Sequence, residues 1–149
     1  MPIFECKNFD ALLLREFHDL LALRSDVFVV EQNCVYQDID GKDPLALHVI
    51  GKKNKKIIAY ARIINVTIVY PEKVSIGRIV IDPLSRGKNH GNQLISFCLD
   101  QCNSLFPGAP IKISAQAHLE RFYNKHRFVT TGEAYLEDGI PHIGMLLKK

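Results

Sequence analysis

The run from Ile76 to Leu94 reads Ile-Gly-Arg-Ile-Val-Ile-Asp-Pro-Leu-Ser-Arg-Gly-Lys-Asn-His-Gly-Asn-Gln-Leu. An apolar strand ends at Asp82-Pro83, a loop of Arg86, Gly87, Lys88, Asn89, His90 and Gly91 follows, and Asn92 lies in the first turn of an amphipathic helix. Glycines let a backbone turn so that successive N–H groups converge. The helix N-terminus adds the positive end of its dipole. Such a loop is built to hold an anion, and a pyrophosphate is its natural ligand. Gly-Lys-Ser/Thr is missing, which excludes a Walker A loop. The absence of GxGxxG excludes the dinucleotide fingerprint.

The same stretch resembles the acetyl-CoA loop of the GCN5-related N-acetyltransferases (GNAT), which reads Arg/Gln-x-x-Gly-x-Gly/Ala between a strand and a helix. Arg86 and Gly91 match its outer positions, and Asn89 stands where the middle glycine is usual. Asn tolerates left-handed backbone better than other non-glycine residues. A second stretch, Ala117 to Phe128, resembles the family's late helix, which ends Phe-Tyr-x-x-x-Gly-Phe. Phe122, Tyr123 and Phe128 match, and Arg127 replaces the glycine. The two motifs lie about thirty residues apart with a strand between them, as in the family. Within it the chain is similar to the ElaA-like group, through Val27-Phe28-Val29-Val30-Glu31-Gln32-Asn33-Cys34, Tyr36-Gln37-Asp38-Ile39-Asp40, Ala115-Gln116-Ala117-His118 and Asp138-Gly139-Ile140-Pro141-His142-Ile143-Gly144-Met145.

The resemblance implies direct acetyl transfer from acetyl-CoA to a primary amine, with no metal. It implies that the pyrophosphate rests on the amides of residues 86–91, with Lys88 able to add charge. It also implies that the pantetheine arm pairs with the strand at Ile79, Val80 and Ile81, where a main-chain N–H near Ile81 polarises the thioester. Tyr123 falls on the family's tyrosine that protonates the departing thiolate, a task suited to a phenol of pKa about 10. For the general base, Glu31, His48 and His118, or a water they hold, are the candidates, and His142 stands behind them.

Residues 31–43 carry Glu31, Asp38, Asp40 and Asp43 against Lys42, in a chain of net charge +3. Lining the acceptor groove, these acids would favour a cationic amine such as a polyamine, lysine or a peptide N-terminus. As a solvated turn they would cap and bend the backbone. Lys52, Lys53, Lys55 and Lys56 read as a solvated hairpin that guards a strand edge. With no interleaved aromatics and a mild overall charge, they do not argue for nucleic acid. Cys98 and Cys102 share a helix face and read as small buried hydrophobes, since the further ligands of a closed metal site are missing.

The elements that must hold these residues fit one domain over 1–149, with 47% apolar and 23% charged residues, as in an ordinary globular protein. Residues 10–31 read as a helix with Asp10 as N-cap, weakened in its last turn by Val27, Val29 and Val30. A loop spans 32–46. Strands 47–52 and 57–65 flank a turn at Lys53-Asn54-Lys55, and a third strand covers 74–82. Helix 90–105, strand 111–117, short helix 118–126 and a hairpin of 128–136 with 142–148 around Asp138-Gly139 complete the order. The expected fold is α/β (α+β), a mixed, mostly antiparallel sheet flanked by helices, in the GNAT arrangement. No run is apolar for long enough to span a membrane, and no basic start precedes an apolar stretch, so a cytoplasmic location is expected. Exposed strand edges leave room for a homodimer. A non-catalytic acyl-CoA sensor on the same fold is the rival reading, suggested by Asn89 and Arg127 at the glycine positions.

Overall fold

Side-chain alternation and two-residue turns build the sheet. The computed structural model describes residues 1–148. The strands are β1 (Ile3–Asn8), β2 (Ala46–Lys53), β3 (Lys56–Ile64), β4 (Val74–Ile81), β5 (Ile111–Gln116), β6 (Val129–Glu137) and β7 (Ile140–Leu147). They form one sheet in the order β1-β2-β3-β4-β5-β7-β6. Only β4 and β5 run parallel. Asn54 and Lys55 take φ of 53° and 67°, and Asp138 and Gly139 take 51° and 77°. Two successive left-handed residues twist a tight hairpin in the sense its strands require, so both expected hairpins form.

Helices α1 (Leu14–Arg24), α2 (His90–Leu105) and α3 (Glu120–Asn124) flank the sheet. Successive strand residues point to opposite faces, and each face has its own apolar cluster. Ile50, Tyr60 and Val80 pack with Leu20, Leu23 and Val27. Val49, Ile63, Ile76 and Ile113 pack with Leu94, Ile95, Cys98 and Cys102. The two cysteines are thus core hydrophobes on one helix face. No helix of the described residues is long and apolar enough to cross a membrane.

Three parts differ from the sequence reading. The first is β1, to which no element was assigned. It is an edge strand of mixed polarity, pairing with β2 and turning Phe4 and Cys6 toward the core. The second is the expected helix over 10–31, which comes in three pieces. Asn8 caps a 3-10 turn (Phe9–Ala11) by accepting from the Ala11 N–H at 3.1 Å. Asp10 therefore does not cap α1. That helix starts behind Leu13, whose N–H donates to Glu16 at 3.0 Å. After Arg24 the helix widens into π turns over Ser25–Glu31, where the crowded β-branched cluster sits. The third is the expected short helix over 118–126, which forms as a 3-10 turn (Ala117–Leu119) followed by α3.

Glu16 ties three elements together. Lys7 of β1 and Lys52 of β2 donate to its carboxylate at 2.9 and 2.6 Å. Burial opposes its ionisation. The hydrogen bonds from Lys52, the Leu13 N–H and Lys7 outweigh that and hold its pKa down to about 2. The loop after the π turns is fixed in the same way. Arg24, fully buried, donates to Asp38 and Asp43 at 2.8 Å each. Arg62 donates to Asp40 at 2.9 and 2.8 Å, and Arg78 to Asp38 at 2.7 Å. At the end of α3, the Arg127 N–H donates to the Asn124 carbonyl and the Phe128 N–H to the Tyr123 carbonyl. This is a Schellman closure, and it puts Arg127 at φ 72° in the position glycine prefers.

Because Glu16 is depressed, its stabilisation is complete above its ordinary value near 4.5 and is lost as pH falls from there toward 2. Glu16→Gln is expected to cost about 2 kcal/mol at pH 7 and to flatten that part of the acid limb in urea titrations. Asp40→Asn leaves Arg62 without its two-point partner and should destabilise by about 2–3 kcal/mol, read from the same titrations. Arg127→Gly removes left-handed strain but adds chain entropy, so a gain of at most about 1 kcal/mol is expected, seen as a higher Tm.

Candidate active site

β4 and β5 pair at only two positions, Val74 with Ile111 and Ser75 with Lys112, and then part. The side of β4 that would pair with β5 is open beyond Ser75. A cleft of about 860 Å³ fills the gap, and Ile79, Val80 and Ile81 line it. On its other side β4 bulges. Arg62 pairs with Gly77 and Tyr60 with Val80, so Ala61 faces both Arg78 and Ile79. Arg78 takes φ 50°, a strained conformation for a residue with a side chain. Its guanidinium is held by Asp38 and lies 5.7 Å from the centre of the Tyr36 ring. The bulge lies at mid-strand, where Gly77, Arg78 and Ile79 line the cleft.

The glycine-bearing loop closes one end. Gly87 and Asn89 both take left-handed backbone, at φ 79° and 67°. Asn89 therefore follows the path expected of the glycine it replaces, steadied by a 2.6 Å bond from Asn92 Nδ2. α2 starts immediately after it, with no side-chain cap on its first N–H groups, which leaves them free for an anion. Arg86 and Gly91 line the cleft, whereas Gly87, Lys88, Asn89, His90 and Asn92 lie outside that lining. The His90 ring is buried with Nδ1 beside Gln93 Oε1, and the Asn92 carbonyl oxygen accepts from His126 Nε2 at 2.9 Å. The side chains of His90 and Asn92 thus brace the helix start. A Cβ on Gly91 would stand 3.4 Å from the Phe122 ring, so the loop and the Phe-Tyr helix meet there.

Tyr123 lines the cleft with 5% exposure, its ring edge-on to Phe122 and Phe128. Burial, with a smaller contribution from Cys98, pushes its phenol well above the usual value, so it keeps its proton throughout the physiological range. The four base candidates lie in different places. His118 is exposed and lines the cleft. Glu31 also lines it but receives two hydrogen bonds from Arg86, at 2.9 and 2.7 Å. That pairing lowers the Glu31 pKa and weakens it as a proton acceptor.

His48 lies away from the cleft. It is fully buried and absent from the cleft lining, with Nδ1 2.6 Å from the Tyr60 hydroxyl and Nε2 2.9 Å from the Asp43 carbonyl. A carbonyl only accepts, so Nε2–H donates to it and Nδ1 accepts from Tyr60. Burial lowers the His48 pKa; Nε2 pins the acidic loop to β2, and Nδ1 is occupied by Tyr60 of β3. The fourth, His142, lines the cleft.

The charge of the acidic loop is also reassigned. Asp38, Asp40 and Asp43 are matched by Arg24, Arg62 and Arg78, and Glu31 by Arg86. The loop therefore presents no surplus negative charge to an acceptor, and the electrostatic argument for a cationic amine falls. Of the lysine turn, Lys52 is bound to Glu16, and Lys56 lies 3.3 Å from Asp82.

Sequence reasoning missed Tyr36, Arg78, Ser114 and Glu137, all of which line the cleft. The first two come from the loop and the bulge, the others from strands brought alongside by the β5-β7-β6 pairing. No local spacing relates them. The one available signal was the period-two alternation that puts Ser114 and Gln116 on one face of β5.

A family model for the acetyltransferase (GNAT) domain matches residues 20–149. ElaA of Escherichia coli K12 is 46% identical over 136 residues, covering 90% of this chain and 88% of the relative. A crystal structure of an acyl-CoA N-acyltransferase from Pseudomonas aeruginosa superposes with a TM-score of 0.93 at 39% identity, covering 98% of this chain and 99% of that one. The crystal structure of Escherichia coli ElaA gives 0.92 at 42% identity, with the same coverage. With a family model across most of its length and relatives this similar, the chain belongs to the GNAT family of acyltransferases, in its ElaA-like group.

Proposed function

We propose that the chain moves an acetyl group from acetyl-CoA directly to a primary amine on a small molecule or peptide. The observation that carries this reading is the parting of β4 and β5 over a mid-strand bulge, with an uncapped helix start at one end of the gap and a buried tyrosine in its wall. An extended amide-bearing ligand can pair with an open strand edge as a further strand does. Ile79, Val80 and Ile81 offer such an edge, and the amides of residues 86–91 receive a pyrophosphate. A main-chain N–H near Ile81, beyond the bulge, polarises the thioester oxygen, where a fixed dipole acts without reorganisation. Tyr123, held protonated by burial, delivers its proton to the leaving thiolate.

The non-catalytic sensor reading rested on Asn89 and Arg127. Both take left-handed backbone in the positions of the family glycines, so neither departure changes the path of the chain around the cleft. That, with Tyr123 in the cleft wall, favours the enzyme. Nothing in the cleft's charge selects the amine, so the acceptor is best sought among neutral and charged amines alike.

The test is release of CoA thiol from acetyl-CoA across a panel of amines, with Tyr123→Phe alongside. The expected result is release that requires an amine, with kcat in the variant lower by about 100-fold and acetyl-CoA affinity retained in calorimetry. Full kcat in the variant would remove the acid role from Tyr123. Tight acetyl-CoA binding with no release for any amine would favour the sensor.

A further inference from the structure

The acceptor amine must lose a proton before it attacks, and the residue that accepts it can be read from β6 and β7. This inference rests on the transferase reading above. His142 is 8% exposed yet lines the cleft. Its Nδ1 lies 2.7 Å from the Ile140 carbonyl. A carbonyl only accepts, so Nδ1 carries a hydrogen and Nε2 is the basic nitrogen of the neutral ring. Glu137 Oε2 stands 3.5 Å from Nε2, an ion-pair distance that leaves Nε2 free to bond elsewhere. Glu137 is held in turn by a 3.3 Å bond from Ser114 Oγ, which also bonds the Tyr135 hydroxyl. The Tyr135 ring stacks on the imidazole at 6.3 Å between centroids. The groups facing His142 are therefore Tyr135 and Glu137 from β6, Gln116 from β5, and the Ile140 carbonyl from its own strand. Glu137 is the one carboxylate among them.

Register puts this group beside the reacting centre. Ser75 is level with Lys112. Counting onward, and allowing one residue for the bulge in β4, Gln116 comes level with Val80. Gln116 pairs with His142, so the imidazole lies across the gap from the bulge. Directly paired residues share a face, and His142 shares that of Ser114 and Gln116, opposite Ile113 and Ala115 in the α2-side core. This is the side of the sheet that α1 and the acidic loop border, away from α2 and Tyr123.

We propose that His142 is the general base, with Glu137 as its positioning residue. The acceptor ammonium gives one proton to His142 Nε2, and the Glu137 carboxylate stabilises the imidazolium. The freed lone pair of the amine forms the C–N bond to the thioester carbon as the carbonyl electron pair moves to oxygen. When that pair returns, the C–S bond breaks, and sulfur keeps its electrons and takes the proton of Tyr123. The remaining excess proton on nitrogen restores the tyrosine, and His142 releases its own to solvent. The products are the amide, CoA thiol and one proton. Base and acid thus act from opposite sides of the sheet, through the gap between β4 and β5.

The experiment pairs pH–rate profiles with NMR of the imidazole. His142→Asn keeps a donor for the Ile140 carbonyl and removes the base. It should lower kcat by about 100-fold and abolish the acidic limb of kcat/KM, with acetyl-CoA affinity intact as the check on folding. Glu137→Gln removes the charge that stabilises the imidazolium, so kcat should fall while acetyl-CoA affinity and the Nδ1–H tautomer of His142 are retained. The neutral ring should be the Nδ1–H tautomer. Wild-type release combined with an unchanged profile in His142→Asn would overturn the base assignment alone, as would an Nε2–H tautomer. No amine-dependent release by the wild type would instead overturn the transferase reading, and this one with it.

Discussion

The parting of two parallel strands is the constraint on which the rest depends. β4 and β5 share two rungs of register and then diverge, which leaves main-chain donors and acceptors without strand partners in the middle of a sheet. Buried polar groups of that kind are costly unless something bonds them. Here they open onto a cleft large enough for an extended ligand. The bulge at Arg78 and Ile79 adds a second departure from regular pairing at the same level. Strain at Arg78 is sustained because its side chain is fixed by Asp38 and Tyr36. A regular sheet at this point would be more stable and would have no site.

Holding such a gap open requires stiffness on both banks. On the β4 side it comes from buried arginines. Arg24 and Arg62 pull Asp38, Asp40 and Asp43 inward, and His48 pins the Asp43 carbonyl. Ion pairs at this depth stabilise only modestly against apolar replacements, but losing one partner is severe. Their effect is to fix one conformation of a long loop that has no secondary structure of its own over most of its length. On the β5 side, α3 and its Schellman turn set the Phe122–Tyr123 pair against Gly91 and the start of α2. At the rim, Cys34 Sγ lies 3.4 Å from the Asp138 carbonyl, and Arg86 pairs with Glu31. The two banks touch there without closing the cleft.

The proposed roles divide across the sheet. The glycine-bearing loop, α2 and Tyr123 lie on one side. The acidic loop, the β6–β7 turn and His142 lie on the other. In the proposed reaction an acyl donor and an amine approach from these two sides and meet at the bulge, so direct transfer would need no covalent enzyme intermediate.

Much of this was legible in the residues. The strand–loop–helix around Arg86 to Gly91 and the Phe-Tyr helix are local patterns, so turn chemistry, helix periodicity and family likeness sufficed to place them. Both hairpins followed from Asn54-Lys55 and Asp138-Gly139, whose backbone preferences act within two residues. The first helix was harder to read. Asp10 looks like a cap, but Glu16 serves α1 from inside because Lys7 and Lys52, distant in sequence, hold it there. The acidity of residues 31–43 misled for a similar reason, since Arg24, Arg62 and Arg78 are invisible to a local charge count. As isolated histidines, His48 at the start of a strand stood ahead of His142 as a base candidate. Sheet pairing buried one against Tyr60 and set the other beside Glu137 in the cleft. The sequence by itself determined which segments fold, how they turn and which loop leads through left-handed residues into a helix start, because those depend on near neighbours along the chain. Which acids are neutralised, which histidine faces the gap and where β4 and β5 part were decided only in the tertiary structure, because each depends on partners that register and packing bring from far along the chain.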